Sequence, residues 1–201
     1  MLNEPNPAAI SSLLGRRSVK ARDLGAPGPD AAAIETILAA GMRVPDHGKL
    51  APTRFFVFEG RARQDFGETI AACYRAETPN ASEKIADGFV AFATAAPLMI
   101  ALVSVPSDEK PIPHFEQLMS TGASGMAMLI AAHMLGYAGN WLTGWAATSP
   151  GVRAALGLGA ADRIAGFLFF GTAQTTPEER VRPDPAKVIR RYRARFTPES
   201  P

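Results

Sequence analysis

Cysteine is nearly absent: one residue, Cys73, stands in 201. A lone thiol excludes an intramolecular disulfide and suits a reducing compartment, so Cys73 is expected to be a small apolar core residue. Histidine is also scarce. His47, His114 and His133 have no ligand spacing to one another or to Cys73, which argues against zinc or another metal. A dominant charge is missing too. Lys and Arg number 21 against 19 Asp and Glu, a formal net charge of +2, too small to argue for nucleic acid. No Walker motif exists. Gly157-Leu158-Gly159 follows a helical pattern and precedes a strand-like one, the reverse of a dinucleotide fingerprint. Gly122-Ala123-Ser124-Gly125 lacks the spacing of a nucleophile elbow.

Long hydrophobic runs occur only in broken form. Phe89 to Pro106 carries no charge, but Pro97 divides it into a helix end and a buried strand, Leu98–Val103. No Asp, Glu, Lys or Arg stands between Glu116 and Arg153, yet Gly136, Gly139, Asn140 and Gly144 interrupt that stretch. Met1 to Pro7 has no basic region followed by an apolar one, so no signal peptide is expected. The expectation is a cytoplasmic protein with no membrane or nucleic-acid partner.

What is present reads as one globular domain over residues 1–201, with 185–201 as a C-terminal arm. Hydrophobic residues make up 47% and charged ones 20%, ordinary globular proportions. Asn6-Pro7, Ser149-Pro150 and Asp184-Pro185 each pair a capping side chain with proline at the first helical position. Helices are expected over Ala31–Met42, Arg61–Tyr74, Ser82–Ala95, Pro113–Leu135 and Pro150–Leu156. Strands are expected over Arg54–Phe58, Leu98–Val103 and Ile164–Phe170, with a further segment at Asn140–Thr143. The pattern lacks regular strand–helix alternation, which points to α+β. The helix over Pro113–Leu135 shows almost no polar residue past Gln117, so it calls for cover on all sides. A domain of this size wraps six helical turns poorly, and a homodimer with this helix in or beside its interface is the simplest remedy. The basic tail Arg190–Phe196 reads as an arm lying on a partner subunit, since no other basic face accompanies it.

Two basic, turn-rich breaks carry the functional signal: Arg16-Arg17-Ser18, and Gly41-Met42-Arg43-Val44-Pro45-Asp46-His47-Gly48-Lys49. With nucleophile, metal and nucleotide-loop options weak, they suggest an anionic, planar ligand rich in acceptors. A flavin mononucleotide fits that description, and an organic cofactor would carry the reactivity.

The chain resembles the nitroreductase family of FMN enzymes, in particular its compact, YdjA-like branch. The likeness runs through Leu14–Ser18, Gly41–His47, Gly139–Gly144, Ile164–Thr172 and Arg182–Pro185. It implies a mostly antiparallel sheet flanked by helices, in an intertwined homodimer with FMN at the subunit interface. It also implies that Arg16, Arg17 and Ser18 hold the phosphate and the polar edge of the flavin, a task that guanidinium forks suit. Arg43 and His47 match positions that touch the cofactor, and Trp141, Leu142 and Thr143 match a segment running along it. Arg180 or Arg182 adds a phosphate contact, the sequence alone not choosing between them. The family commonly has Asn, Gln and Trp where this chain has Lys49, Ala51 and Thr53. Lys49 is a candidate for a cation beside the flavin. The implied activity is hydride transfer from NADH or NADPH through flavin N5 to an electron-poor acceptor such as a nitroaromatic or quinone. Reductive dehalogenation, oxygen-dependent flavin modification, or FMN binding without catalysis are the alternatives.

Overall fold

The computed structural model describes residues 3–191. Four of the eight α-helices among the described residues begin at a side chain that accepts a free backbone N–H group. Asn6 accepts from Ala9 N at 3.0 Å and opens α1 (Pro7–Gly15). Asp30 accepts from Ala33 N at 2.8 Å and opens α2 (Ala31–Gly41). The other helices are α3 (Arg61–Glu77), α4 (Glu83–Ala93), α5 (His114–Met134), α6 (Trp145–Thr148), α7 (Pro150–Ala155) and α8 (Pro185–Val188). Ser149 caps α7 through Val152 N at 3.0 Å. Ser82, by contrast, makes no side-chain capping bond to α4.

Five strands form one sheet: β1 (Leu24–Gly25), β2 (Thr53–Glu59), β3 (Leu98–Ser104), β4 (Ala138–Leu142) and β5 (Arg163–Ala173). Long β5 organises it, pairing with β3 on one side and with β4 and β1 on the other, while β2 flanks β3. All four strand pairings are antiparallel. The α+β architecture read from the sequence holds.

The period of two along β3 and β5 sends alternate side chains to two helical layers. Met99, Ala101, Val103, Phe167 and Phe169 join Phe66 and Ile70 of α3. Leu98, Ile100, Leu168 and Phe170 join Ile34 and Ile37 of α2 and Met128 and Leu129 of α5. Phe167, Phe169 and Phe170 are fully buried, and each such side chain contributes about 1.5–3 kcal/mol relative to exposure. Cys73 sits half-buried at the edge of the first layer, beside Gly151. Burial and the nearby Glu77 carboxylate push its thiol pKa up.

Within the protomer α5 is covered on one face only, polar in its first half and apolar in its second, where Met128, Leu129 and Ala132 are buried. Gln117, Thr121 and Ser124 point inward, Gln117 being only 2% exposed. Its amide is fully engaged: Nε2 donates to Ser107 O at 2.9 Å and Ile112 O at 3.2 Å, and Oε1 accepts from Ser107 N at 2.8 Å. Phe115 and Met119 face outward at 62% and 65% exposed. Met42 is exposed as well, just past the end of α2. Pro185–Arg191 is exposed throughout, and Tyr192–Phe196 of the basic tail lies outside the described residues. Among the described residues, no helix is long and apolar enough to cross a membrane. No group of three or more His, Cys, Asp or Glu there can hold a metal ion.

Candidate functional site

Arg16, Arg17 and Ser18 follow the end of α1 and are sewn to β4. Ser18 forms a parallel bridge with Gly139, and Val19 N donates to Gly139 O at 3.2 Å. The Asn140 side-chain amide donates to Val19 O. Val19, 3% exposed, anchors the segment in the core. This short ladder fixes the direction in which the two arginines leave the backbone.

The chain returns to the same place after β5. Arg16, Arg17, Ser18, Arg180 and Arg182 converge on a small cavity of about 120 Å³, so both arginines between which the sequence did not choose are present. Four guanidinium groups meet two carboxylates there, Glu178 in the lining and Glu179 beside it. Glu179 pairs with Arg17 and, at 2.8 Å, with Arg182. Arg16 has no such partner: its Nε and Nη1 are buried without a hydrogen bond. Burial, then the charges of Arg182 and Arg180, pull its pKa below the usual arginine value. A half-buried guanidinium with two sealed, idle donors among like charges is costly unless an anion joins it. Desolvation pushes Glu179 the other way, but Arg17 and Arg182 outweigh it and hold that carboxyl below the ordinary glutamate value. The donor set fits a phosphate monoester, which guanidinium forks meet in bidentate fashion.

Beside this cradle lies a larger open cavity of about 640 Å³, lined by Ser18, Lys20, Asn140, Trp141, Leu142 and Arg180. It has room for a ring system. Trp141 is also a packing residue: Nε1 donates to Ala165 O at 3.1 Å, and the indole fills the space that small Gly125 and Gly166 leave. Thr143 is exposed beyond the end of β4 and does not line the cavity. Lys20 was not read from the sequence as a site residue. Its signal was available, since Ser18 and Lys20 fall on the same side of an extended segment.

Arg43, His47 and Lys49 lie elsewhere. They occupy the turn between α2 and β2, where His47 Nδ1 meets Glu116 Oε2 of α5 at 2.8 Å. That bond leaves Nε2 as the free ring nitrogen. Arg16 and Arg17, however, share a cavity of about 510 Å³ with His133 near the opposite end of α5. At about 1.5 Å per residue along a helix, Glu116 and His133 are roughly 25 Å apart. Within one chain, the two sets of candidate residues do not meet.

The turn is held in an unusual shape. Gly48, Lys49 and Ala51 have φ values of 74°, 58° and 47°, a region that only glycine enters freely. Asp46 supports it, its carboxylate accepting from Leu50 N at 3.2 Å and Ala51 N at 2.8 Å. Lys110 Nζ donates to Gly48 O from the other side. Strained backbone maintained by converging bonds is characteristic of functional turns.

Comparison with known proteins gives this geometry a family. YdjA of Escherichia coli (strain K12), which bears the name of an NAD(P)H nitroreductase, is 36% identical over 182 residues, covering 90% of this chain and 97% of YdjA. A nitroreductase-like family protein from Bacillus cereus shares the fold with a TM-score of 0.79 at 18% identity, covering 93% and 97% of the two chains. A nitroreductase with bound FMN from Bacteroides fragilis NCTC 9343 superposes with a TM-score of 0.70 at 19% identity, over 94% of this chain and all of the other, 100%. The model of the nitroreductase family matches residues 13–172, from the end of α1 to the end of the sheet, and the chain belongs to that family.

Proposed function

We propose that the chain is an FMN-dependent oxidoreductase that takes a hydride from NADH or NADPH and passes it to an electron-poor acceptor such as a nitroaromatic or a quinone, working as a homodimer. The observation that carries this reading is the buried, unpartnered edge of Arg16 inside a cradle of four arginines. When bound, FMN supplies the hydride-accepting and hydride-donating chemistry. Arg16, Arg17, Arg180 and Arg182 hold its phosphate. Ser18, Lys20 and Asn140 present one donor cavity for the ribityl chain and the polar ring edge, with Leu142 as an apolar wall.

The second half of the site comes from a second copy. Arg43, His47 and Lys49 cannot reach the cradle of their own chain, and the outward face of α5 explains how another chain brings them there. Phe115, Leu118, Met119 and Met134 are exposed along α5, with Ile10 and Leu14 exposed on α1 nearby. Contiguous apolar surface of this kind marks an interface. In a two-fold dimer whose axis crosses the shared helix, residues near one end meet those near the other end of its mate. The dimer also removes water from the ring cavity, which strengthens every electrostatic contact inside. The protein supplies positioning and charge and needs no acid or base side chain of its own.

The test is an anaerobic absorbance spectrum of the purified protein with NADH and then NADPH added. A yellow protein that bleaches supports the reading and identifies the donor. A colourless protein that also fails to bind added FMN refutes it, and bound FMN that neither donor reduces would mark a flavin-binding protein without this activity.

A further inference from the structure

The turn between α2 and β2 shapes a cavity of about 360 Å³, separate from those around Arg16. Met42, Val44 and Phe55 give it apolar walls, and small Ala51 and Thr53 leave it open. Its hydroxyls are already ordered. Thr53 Oγ1 lies 3.0 Å from Thr121 Oγ1, and Ser120 Oγ donates to Pro45 O at 2.8 Å. The volume and lining suit a single conjugated ring rather than water alone.

Charge at the rim is mixed but leans positive: Asp46 and Arg54 both line the cavity, and Arg43 and Lys49 stand on the same turn. Asp46 keeps its charge but directs its oxygens to backbone N–H groups, and Glu116 meets His47. Arg43, Lys49 and Arg54 form no ion pair among the described residues. Arg54 is the best placed of the three. Its Nη1 donates to Ala51 O at 2.7 Å and to Thr53 O at 2.9 Å, which pins the guanidinium beside the wall residues and leaves its remaining donors free. A fork already oriented loses little freedom on meeting a carboxylate.

We infer that this cavity selects the electron acceptor, and that it takes a flat conjugated compound bearing an anionic substituent, with Arg54 reading the charge. The inference rests on the flavin reading above, which puts this turn beside the cofactor. A ring on the apolar walls of Met42, Val44 and Phe55 directs its carboxylate to the rim. A neutral analogue of the same shape keeps the apolar contacts and loses the ionic one.

The test compares 4-nitrobenzoate with 4-nitrobenzamide as acceptors for the FMN-loaded enzyme, together with calorimetric titration of benzoate and benzamide into the oxidised protein. Wild type is expected to favour the nitrobenzoate about tenfold in kcat/KM, a single well-placed ionic contact. R54Q is expected to abolish that preference and R54K to keep part of it. T53W, which fills the cavity, is expected to remove benzoate binding. Flavin absorbance of each variant separates loss of cofactor from loss of selectivity. Protein that holds reducible flavin yet treats the two acceptors alike overturns the inference and leaves the flavin reading intact. So does an R54Q variant that raises KM for NADPH while leaving the acceptor ratio unchanged, because the positive rim would then serve the dinucleotide phosphates.

Discussion

Asn140 donates its side-chain amide to the carbonyl of Val19, joining positions 121 residues apart. That one bond ties the arginine segment to the sheet, and it is buried, with Asn140 9% exposed. Removing one partner of a buried hydrogen bond leaves the other unsatisfied and costs about 1–3 kcal/mol. N140A is therefore expected to destabilise the fold by that amount in denaturant titration. It should weaken FMN binding as well, because the ladder that aims Arg16 and Arg17 is cut. Unchanged affinity in a folded N140A would show that the cradle forms without its backbone anchor.

Arg16 sets the second expectation. Its Nε and Nη1 are buried without partners, so a phosphate gains two charge-assisted bonds there. Such bonds contribute about 1.5–3 kcal/mol each. R16Q is expected to raise the FMN dissociation constant by more than tenfold, measured by flavin fluorescence quenching. R16K keeps the charge but not the fork, and should fall between wild type and R16Q. The protein without FMN loses a half-buried cation with two unpartnered donors in R16Q, so its thermal stability should hold or rise.

Glu179 competes with the phosphate for Arg17 and Arg182. E179Q is expected to tighten FMN binding several-fold at low ionic strength, and the gain should shrink with added salt. Its pH dependence has a definite sign. The Glu179 carboxyl is held below its ordinary value by Arg17 and Arg182, so its ion pairs are complete above the unfolded glutamate pKa of about 4.3. They are lost as pH falls through the lower folded value. The difference between E179Q and wild type should thus be full at neutral pH and vanish in acid.

The outward face of α5 gives a fourth expectation. Met119 is 65% exposed in the protomer, where a charge would cost little. In a dimer interface, a buried unpaired aspartate costs several kcal/mol. M119D is expected to shift the protein to monomer in light scattering with its circular dichroism retained, and to lose FMN in the same step. A dimeric M119D that keeps its flavin would place the interface elsewhere.

How far the sequence revealed this molecule depends on the kind of signal. Strands β3 and β5 were legible because fully buried strands read as unbroken apolar runs such as Leu98–Val103 and Ile164–Phe170. Helix starts at Asn6, Ser149 and Asp184 were legible because capping is local chemistry. Strand β1 was not, since its two residues pair only with the end of β5 and carry no periodicity. Short α6, directly before α7, was missed for the same reason. The long helix was placed to within a residue at each end, but the partners of its inward polar residues were not legible. Gln117 has partners only because the distant Ser107 segment folds against it, and such pairing is invisible in composition.

The candidate site divides along the same line. Arg16, Arg17 and Ser18 form a local motif; the segment after β5 brings both Arg180 and Arg182 back to it, between which residue order could not choose, and Lys20 is the residue the sequence reading missed. That Arg43 and His47 stand far from the cradle could not be read from residue order, because it depends on α5 holding the two sets apart.

Complementation between protomers tests the two-chain site most directly. One variant carries R16Q and R182Q, the other R43Q and H47A, and a differently tagged heterodimer of the two is purified and its bound FMN counted. Each homodimer should be nearly flavin-free. A site shared between chains gives the heterodimer one intact site and one doubly defective site, so the expected result is one FMN per heterodimer. A site built within a single chain leaves every site defective, and a heterodimer without flavin would contradict the account.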